Sequence, residues 1–132
     1  MKLKIETSKR IELIDITSEV QEEIMKSEVS EGICIISTRH TTAGITINEN
    51  ESGLKEDIMA LLKKLVPTDA GYMHDRIDNN ADSHLRAMLL GASETLPVSE
   101  GKLELGTWQR IFFAEMDGPR SRTVNITLLR AQ

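Results

Sequence analysis

The side chains able to do chemistry are not spread evenly along this chain. Two of its three histidines, three aspartates and two asparagines fall within the eleven positions from His74 to His84. A segment that only packs has no need of so many imidazole, carboxylate and carboxamide groups, which are the groups that hold metals and move protons. His84 is the sharpest candidate. With Asp82 as N-cap it falls in the first turn of a short helix over 82–90, where the helix dipole favours the neutral imidazole, able to ligate a metal or act as a base. The same position also suits a rim histidine that caps a neighbouring carbonyl. His74 stands beside Asp75, which is placed to orient it. His40 lies in Arg39-His-Thr-Thr-Ala-Gly44, where a strand turns, and that stretch also reads as an ordinary hairpin. All three histidines sit at loops or element ends, where sites usually form. Three imidazoles around an open position make a catalytic zinc arrangement, so His40, His74 and His84 are the candidate metal set, if the fold brings them together.

Carboxylates and guanidiniums extend the list. Asn48-Glu49-Asn50 closes a strand and opens a helix. Asn50 reads as that helix's N-cap, leaving Glu49 as a general base or metal-site carboxylate and Asn48 as a polar substrate contact. Asp78, Asn79 and Asn80 also suit a turn. Glu115-Met-Asp-Gly-Pro-Arg120 places two carboxylates at a strand end, with Arg120 and Arg122 following. Arginine clamps phosphate bidentately, and solvated hairpin charge is the plainer reading of both residues. Arg86, on the 82–90 helix whose N-terminus offers backbone donors to an anion, completes the candidate phosphate contacts. Trp108, the only tryptophan, reads as a core or interface residue.

These groups need elements to hold them. Residues 2–6 alternate as a half-buried strand. Arg10 to Ile16 reads as a second strand with a phase slip between Leu13 and Ile14. Thr17 or Ser18 then caps a helix with Val20 and Ile24 inward. Ile33 to Ile36 is apolar on both faces, which predicts a central strand, and Ile45 and Ile47 mark the strand that returns. Asn50 to Lys64 is the clearest helix, with an inner stripe of Leu54, Ile58, Leu61, Leu62 and Leu65 and Pro67 to end it. A polar loop over 68–81 precedes the helix at 82–90, whose inner residues are expected to be Leu85, Met88 and Leu89, with Gly91 after its last turn. Strands follow at Thr95–Val98, Lys102–Leu105, Thr107–Glu115 and Thr123–Leu129. Seven or eight strands joined by short turns, with three helices, predict a single α+β domain over 1–132, mostly an antiparallel β-sandwich.

Composition narrows the function. A net charge of −5 and a pI near 5.2 argue against nucleic acid, whose binders carry basic footprints. No apolar run approaches the roughly 18 residues of a membrane span, and no signal-peptide pattern opens the chain. One cysteine, Cys34, rules out an internal disulfide and zinc sites built on paired cysteines. A cytoplasmic protein is the expectation.

Ser93-x-x-Leu96-x-Val98-x-x-Gly101-x-x-x-x-Gly106-Thr-Trp-Gln109-x-Ile111 is complete in every position. With His40-Thr-Thr42, Asn48-Glu49-Asn50, Tyr72-x-His74-Asp75, His84-Leu85 and Glu115-x-Asp-Gly-Pro-Arg120, it makes nearly the whole chain resemble the YjbQ-like family, which is linked to a secondary thiamine-phosphate synthase activity. The resemblance implies a β-rich α+β sandwich assembling as a homotrimer, with a polar pocket between subunits that gathers His40, His74 and His84. It implies a transfer joining a pyrimidine-methyl diphosphate to a thiazole phosphate with loss of pyrophosphate. In that reading Glu49, Asp75 and His84 handle protons, while Asn48, Arg86, Arg120 and Arg122 hold the phosphorylated metabolite. A pyrophosphate leaving group ordinarily calls for Mg²⁺, whereas three histidines suit zinc. Two other functions fit the same residues: a zinc-dependent hydrolase of a small phosphorylated or polar metabolite, and a trimeric metal- or ligand-binding protein without turnover.

Overall fold

In the computed structural model, which describes all residues from Met1 to Gln132, eight strands form two antiparallel sheets. In chain order the elements are β1 (Lys2–Glu6), β2 (Glu12–Asp15), α1 (Thr17–Ser27), β3 (Gly32–Thr38), β4 (Ala43–Glu49), α2 (Ser52–Leu65), a short 3₁₀ turn (Met73–Arg76), α3 (Ala81–Leu90), β5 (Ser93–Ser99), β6 (Lys102–Leu103), β7 (Gln109–Glu115) and β8 (Ser121–Arg130). The larger sheet runs β1-β8-β3-β5-β6 and the smaller β2-β7-β4. The fold is therefore the expected α+β sandwich, and the doubly apolar β3 is the middle strand of the larger sheet.

Alternation along β7 explains the layering. Ile111 and Phe113 point between the sheets, into a core with Ile16, Val20, Ile24, Cys34, Ile36, Ile45, Val124 and Ile126. Phe112 and Ala114 point the other way, onto Leu13, Leu62, Ala87 and Met116. That second layer seats α2 and α3 on the outer face of the smaller sheet. Gly44 sets how closely α3 approaches β4: a Cβ there would lie 2.8 Å from the Gly91 carbonyl oxygen and 3.2 Å from Leu90 Cβ.

Helix starts differ from expectation because acids other than the predicted ones reach the free amides. Glu51 caps α2 by accepting from the Gly53 and Leu54 amides, while Asn50 instead donates to Asp15. Asp75 accepts from the Ala81 amide at 2.9 Å and so caps α3 from the preceding turn. Asp82, the predicted cap, is inside the helix and buried at 2% exposure.

The face of α3 is also reversed. Asp82, Ser83, Arg86 and Ala87 are buried, whereas Met88 and Leu89 are 70% and 55% exposed. The physical reason is an ion-pair network. Arg10 donates to both Asp82 carboxylate oxygens at 3.0 and 3.1 Å, and Arg86 Nη1 lies 3.2 Å from Asp82 Oδ2. Thr68 adds a hydroxyl donor to Asp82, and Ser83 donates to the Met116 carbonyl at 2.6 Å. Paired in this way, charges can be buried where hydrocarbon was expected. On α2 only Leu62 is buried; Leu61 and Leu65 are exposed.

Candidate functional site

At one end of the sandwich, the β3–β4 connection, the β7–β8 turn and the start of α3 border an open cavity of about 580 Å³. No apolar residue lines it. Arg39, His40 and Thr42 come from the first segment, Asp117, Arg120 and Arg122 from the second, and Asp78, Asn80 and His84 from the third. Four sequence candidates therefore meet: His40, His84, Arg120 and Arg122.

Arg122 is held most firmly. Its Nε donates to Glu115 Oε1 at 2.8 Å and its Nη2 to Thr42 Oγ1 at 2.8 Å and to Glu115 Oε2. Glu115 is fully buried and also accepts from the Thr7 hydroxyl and the Asp117 amide. Burial pushes the Glu115 carboxyl up, and these hydrogen bonds together with the Arg122 charge more than reverse it, so it stays below the usual 4.5. Arg122 Nη1 has no hydrogen-bond partner within the chain, and the residue lines the cavity. Arg120 rests on Asp117, with Nη2 to Oδ2 at 2.9 Å and Nε to the backbone carbonyl at 2.7 Å. Arg39 has no ion-pair partner in the chain.

The three imidazoles are in different states. His40 Nε2 accepts from the Thr123 amide at 3.0 Å, which places its proton on Nδ1. Burial and the nearby Arg122 charge lower its pKa, against a smaller opposing effect of Glu115. Asn80 donates to Asp117 Oδ2 at 2.9 Å, which turns its amide oxygen toward His74 Nε2 at 3.1 Å, so that nitrogen carries hydrogen. His84 meets His74 edge to face, with ring centroids 4.8 Å apart, and its own ring nitrogens make no hydrogen bond within the chain. It is the free imidazole of the cavity.

These states bear on the expected metal centre. No three His, Cys, Asp or Glu side chains stand close enough together to hold an ion. The Nε2 atoms of His40 and His74 are both engaged, so the arrangement within the chain does not fit three-histidine zinc, and Mg²⁺ finds no cluster of carboxylates.

The remaining candidates lie elsewhere. Glu49 and Asn48 end β4, six and five residues beyond Ala43, which puts Glu49 roughly 20 Å along the strand from the cavity end. Asp75 is occupied as the cap of α3. Arg86, 1% exposed, donates to the Val66 carbonyl through Nε and Nη2 and serves the buried network rather than the cavity. Sequence reasoning marked Glu115 and Asp117 only as strand-end carboxylates and Asn80 as a turn residue, without a role for them, and did not single out Arg39. A carboxylate in the apolar run Ile111–Glu115 was a usable signal, because a buried acid requires a cation.

The YjbQ model, for UPF0047 YjbQ-like proteins, matches residues 1–131. The chain belongs to the YjbQ-like UPF0047 family. A UPF0047 protein of Methanothermobacter thermautotrophicus is 55% identical over 126 residues, 96% of this chain and 88% of that protein. YugU of Bacillus subtilis is 41% identical, over 96% of both chains. Among solved structures, a YbjQ-like protein of Sulfolobus solfataricus superposes with a TM-score of 0.97 at 42% identity, covering 99% of this chain and 96% of that one. A YjbQ/UPF0047 protein of Clostridium acetobutylicum gives 0.94 at 39%, covering 98% and 99%. The sandwich and its polar end are thus set in a fold common to the YjbQ-like family.

Proposed function

We propose that this YjbQ-like chain is a transferase acting on a small phosphorylated metabolite, with the transfer implied by its family resemblance, pyrimidine-methyl diphosphate to thiazole phosphate, as the reaction to test. One observation carries the reading: a cavity without apolar lining in which Arg39, Arg120 and Arg122 face the unpartnered His84. Formal charge there balances, since Asp117 and Glu115 neutralise Arg120 and Arg122 and Asp78 offsets Arg39. What the cavity offers an anion is donors fixed in direction, which cost no reorganisation when charge develops. Arg122 Nη1 and the Arg120 and Arg39 guanidiniums hold the diphosphate oxygens. As the carbon–oxygen bond to diphosphate breaks, the electron pair leaves with pyrophosphate, whose charge the guanidiniums hold and to which the His84 ring N–H donates a hydrogen bond, and the thiazole nitrogen forms the new bond to carbon.

The test is calorimetric binding of pyrophosphate, followed by pyrophosphate release from the substrate pair. Arg120→Ala is expected to weaken pyrophosphate binding roughly tenfold or more; His84→Ala is expected to slow release while binding is retained. Absence of pyrophosphate binding at millimolar concentration would overturn the reading.

We also propose that the chain associates with copies of itself, as the homotrimer its family resemblance implies. Exposed Met88 and Leu89 on α3 and Leu61 and Leu65 on α2 support this, since large apolar side chains left in water favour interfaces. Sedimentation at a single monomer mass across micromolar concentrations would exclude it.

A further inference from the structure

A second cavity lies at the far end of β3 from His40. That histidine follows the last residue of the strand, Thr38, whereas this space of about 600 Å³ opens just before the strand begins at Gly32. It is bordered by the C-terminal end of α1 and by the β5–β6 hairpin. The Gln21 side chain ties the two together: its Nε2 donates to the Gly101 carbonyl at 2.9 Å and its Oε1 accepts from the Leu103 amide at 3.1 Å. The Gly101 amide also donates to the Ser30 carbonyl at 3.0 Å. The space is therefore held open by the fold itself, at a size typical of small-molecule sites. Much of its lining is hydrocarbon. Ile24 and Val29 are buried, Leu103 is half-buried, and Met25 adds a thioether side chain that is 68% exposed.

Three charged groups line the same space. Glu28, Glu100 and Lys102 have no ion-pair partner within the chain. The negative pole of α1 adds to the two carboxylates, so the balance favours a cation. Backbone conformation sets these carboxylates apart as well. Four residues other than glycine have positive φ, and Asp69 and Asn79 are of types that tolerate it. The other two are Glu28 at 59° and Glu100 at 53°, both on this cavity. Glycine or asparagine would hold either turn with less strain, so the turns do not account for a carboxylate at each.

We infer that this cavity is a second ligand site, for a small organic cation: a primary ammonium or guanidinium carried on an apolar body. The head is held by Glu28 and Glu100 at the end of α1, and the body covers Ile24, Met25, Val29 and Leu103. Lys102 weakens the hold on charge alone, so the apolar body supplies a needed part of the affinity. The site is independent of the anion cavity, and its ligand has the opposite charge.

Titration calorimetry on the full chain tests it with phenylethylammonium, neutral phenylethanol, anionic phenylpropanoate and methylammonium. The first three vary the charge on a similar apolar body, and the last is a head without one. Phenylethylammonium is expected to bind about fivefold or more tighter than phenylethanol, with phenylpropanoate and methylammonium weaker than both. Glu28→Gln combined with Glu100→Gln should cut the cation's advantage over the alcohol to under about twofold. Met25→Gln should weaken cation and alcohol alike. All three positions are exposed, so folding is not at risk. Glu28→Asn should weaken the cation while raising the unfolding midpoint, a pairing that a purely structural glutamate would not give. Equal affinity for cation and alcohol, or an advantage that survives the double replacement, overturns the inference. Failure of all four compounds to bind at millimolar concentration also overturns it, and a shift in sedimentation on Met25→Gln would then assign the face to a contact between copies.

Discussion

Replacing Glu115 by Gln tests the most consequential pair in the molecule. Glu115 is 0% exposed and the Arg122 side chain 4%. The substitution keeps shape and most hydrogen-bonding capacity but removes the negative charge, leaving the Arg122 guanidinium buried without compensation. Breaking a buried ion pair by removing one partner costs about 3–5 kcal/mol. For a 132-residue chain, with an unfolding entropy of about 2.1 cal/mol/K per residue, 3–4 kcal/mol corresponds to a fall in Tm of roughly 10–15 °C. The assay is thermal and urea unfolding at pH 7 and at stepwise lower pH. Because Glu115 titrates below its usual 4.5 in the folded state, its contribution is full above the unfolded value and is lost as pH falls through the folded one. The gap between wild type and variant should therefore be constant at neutral pH and close in acid, below 4.5. A double replacement, Glu115→Met with Arg122→Met, should recover much of the loss, since an apolar pair of similar volume needs no charge compensation. A single variant within about 1 kcal/mol of wild type at pH 7, or a gap that persists unchanged in acid, would refute the reasoning.

Four further outcomes can be measured directly. Asp82→Ala strands Arg86 in the interior and should destabilise by about 3–5 kcal/mol in urea unfolding, more than an N-cap loss of about 1 kcal/mol. Asp15, held at about 2 by hydrogen bonds from Arg110, Thr17 and Asn50 that outweigh its burial, should contribute about 1–2 kcal/mol above pH 4, discounted because Arg110 is partly exposed; Asp15→Asn removes that increment, and the wild-type advantage disappears as pH falls toward 2. His40 should titrate by NMR below 6.5, since burial and Arg122 disfavour its charged form, and the stability it lends is present above that value and lost as pH falls; a titration midpoint above 6.5 would contradict the Thr123 contact. Met88→Ser with Leu89→Ser should change unfolding free energy by less than about 1 kcal/mol while shifting sedimentation toward smaller species; a collapse in stability would mean the face is core after all.

The positions of most strands, the central place of β3, the apolar residues on both faces of β7 and the inward face of α1 at Val20 and Ile24 followed from apolar periodicity, because each depends on local pattern. Helix α3 did not. Its Leu85, Met88 and Leu89 have ideal inward spacing, and nothing within the helix announces that Arg10, 72 residues earlier than Asp82, arrives to neutralise a buried carboxylate. Long-range charge pairing overrode the stripe. The same holds at the site. His40 and His84 were legible from residue type and loop position, and Arg120 and Arg122 from their turn. Their partners Glu115, Asp117 and Asn80 were visible only as turn and strand-end residues until the β7–β8 hairpin faced the start of α3. Glu49 and Asn48 stayed apart because the direction of β4 carries them to the other end of the sandwich.

The attachment of α3 by Asp82, Ser83 and Arg86 has a consequence for motion. Lifting the first half of that helix from the sheet exposes ions and hydroxyls rather than hydrocarbon, so the opening carries little heat-capacity change, in contrast to global unfolding. Amides near His84 should therefore exchange with solvent through a local event, at a free energy below that of the core strands and only weakly dependent on temperature. His84 travels with the helix. The cavity wall is thus fastened at its cavity end by polar contacts and at its other end by the tight packing of Leu90 and Gly91 on Gly44.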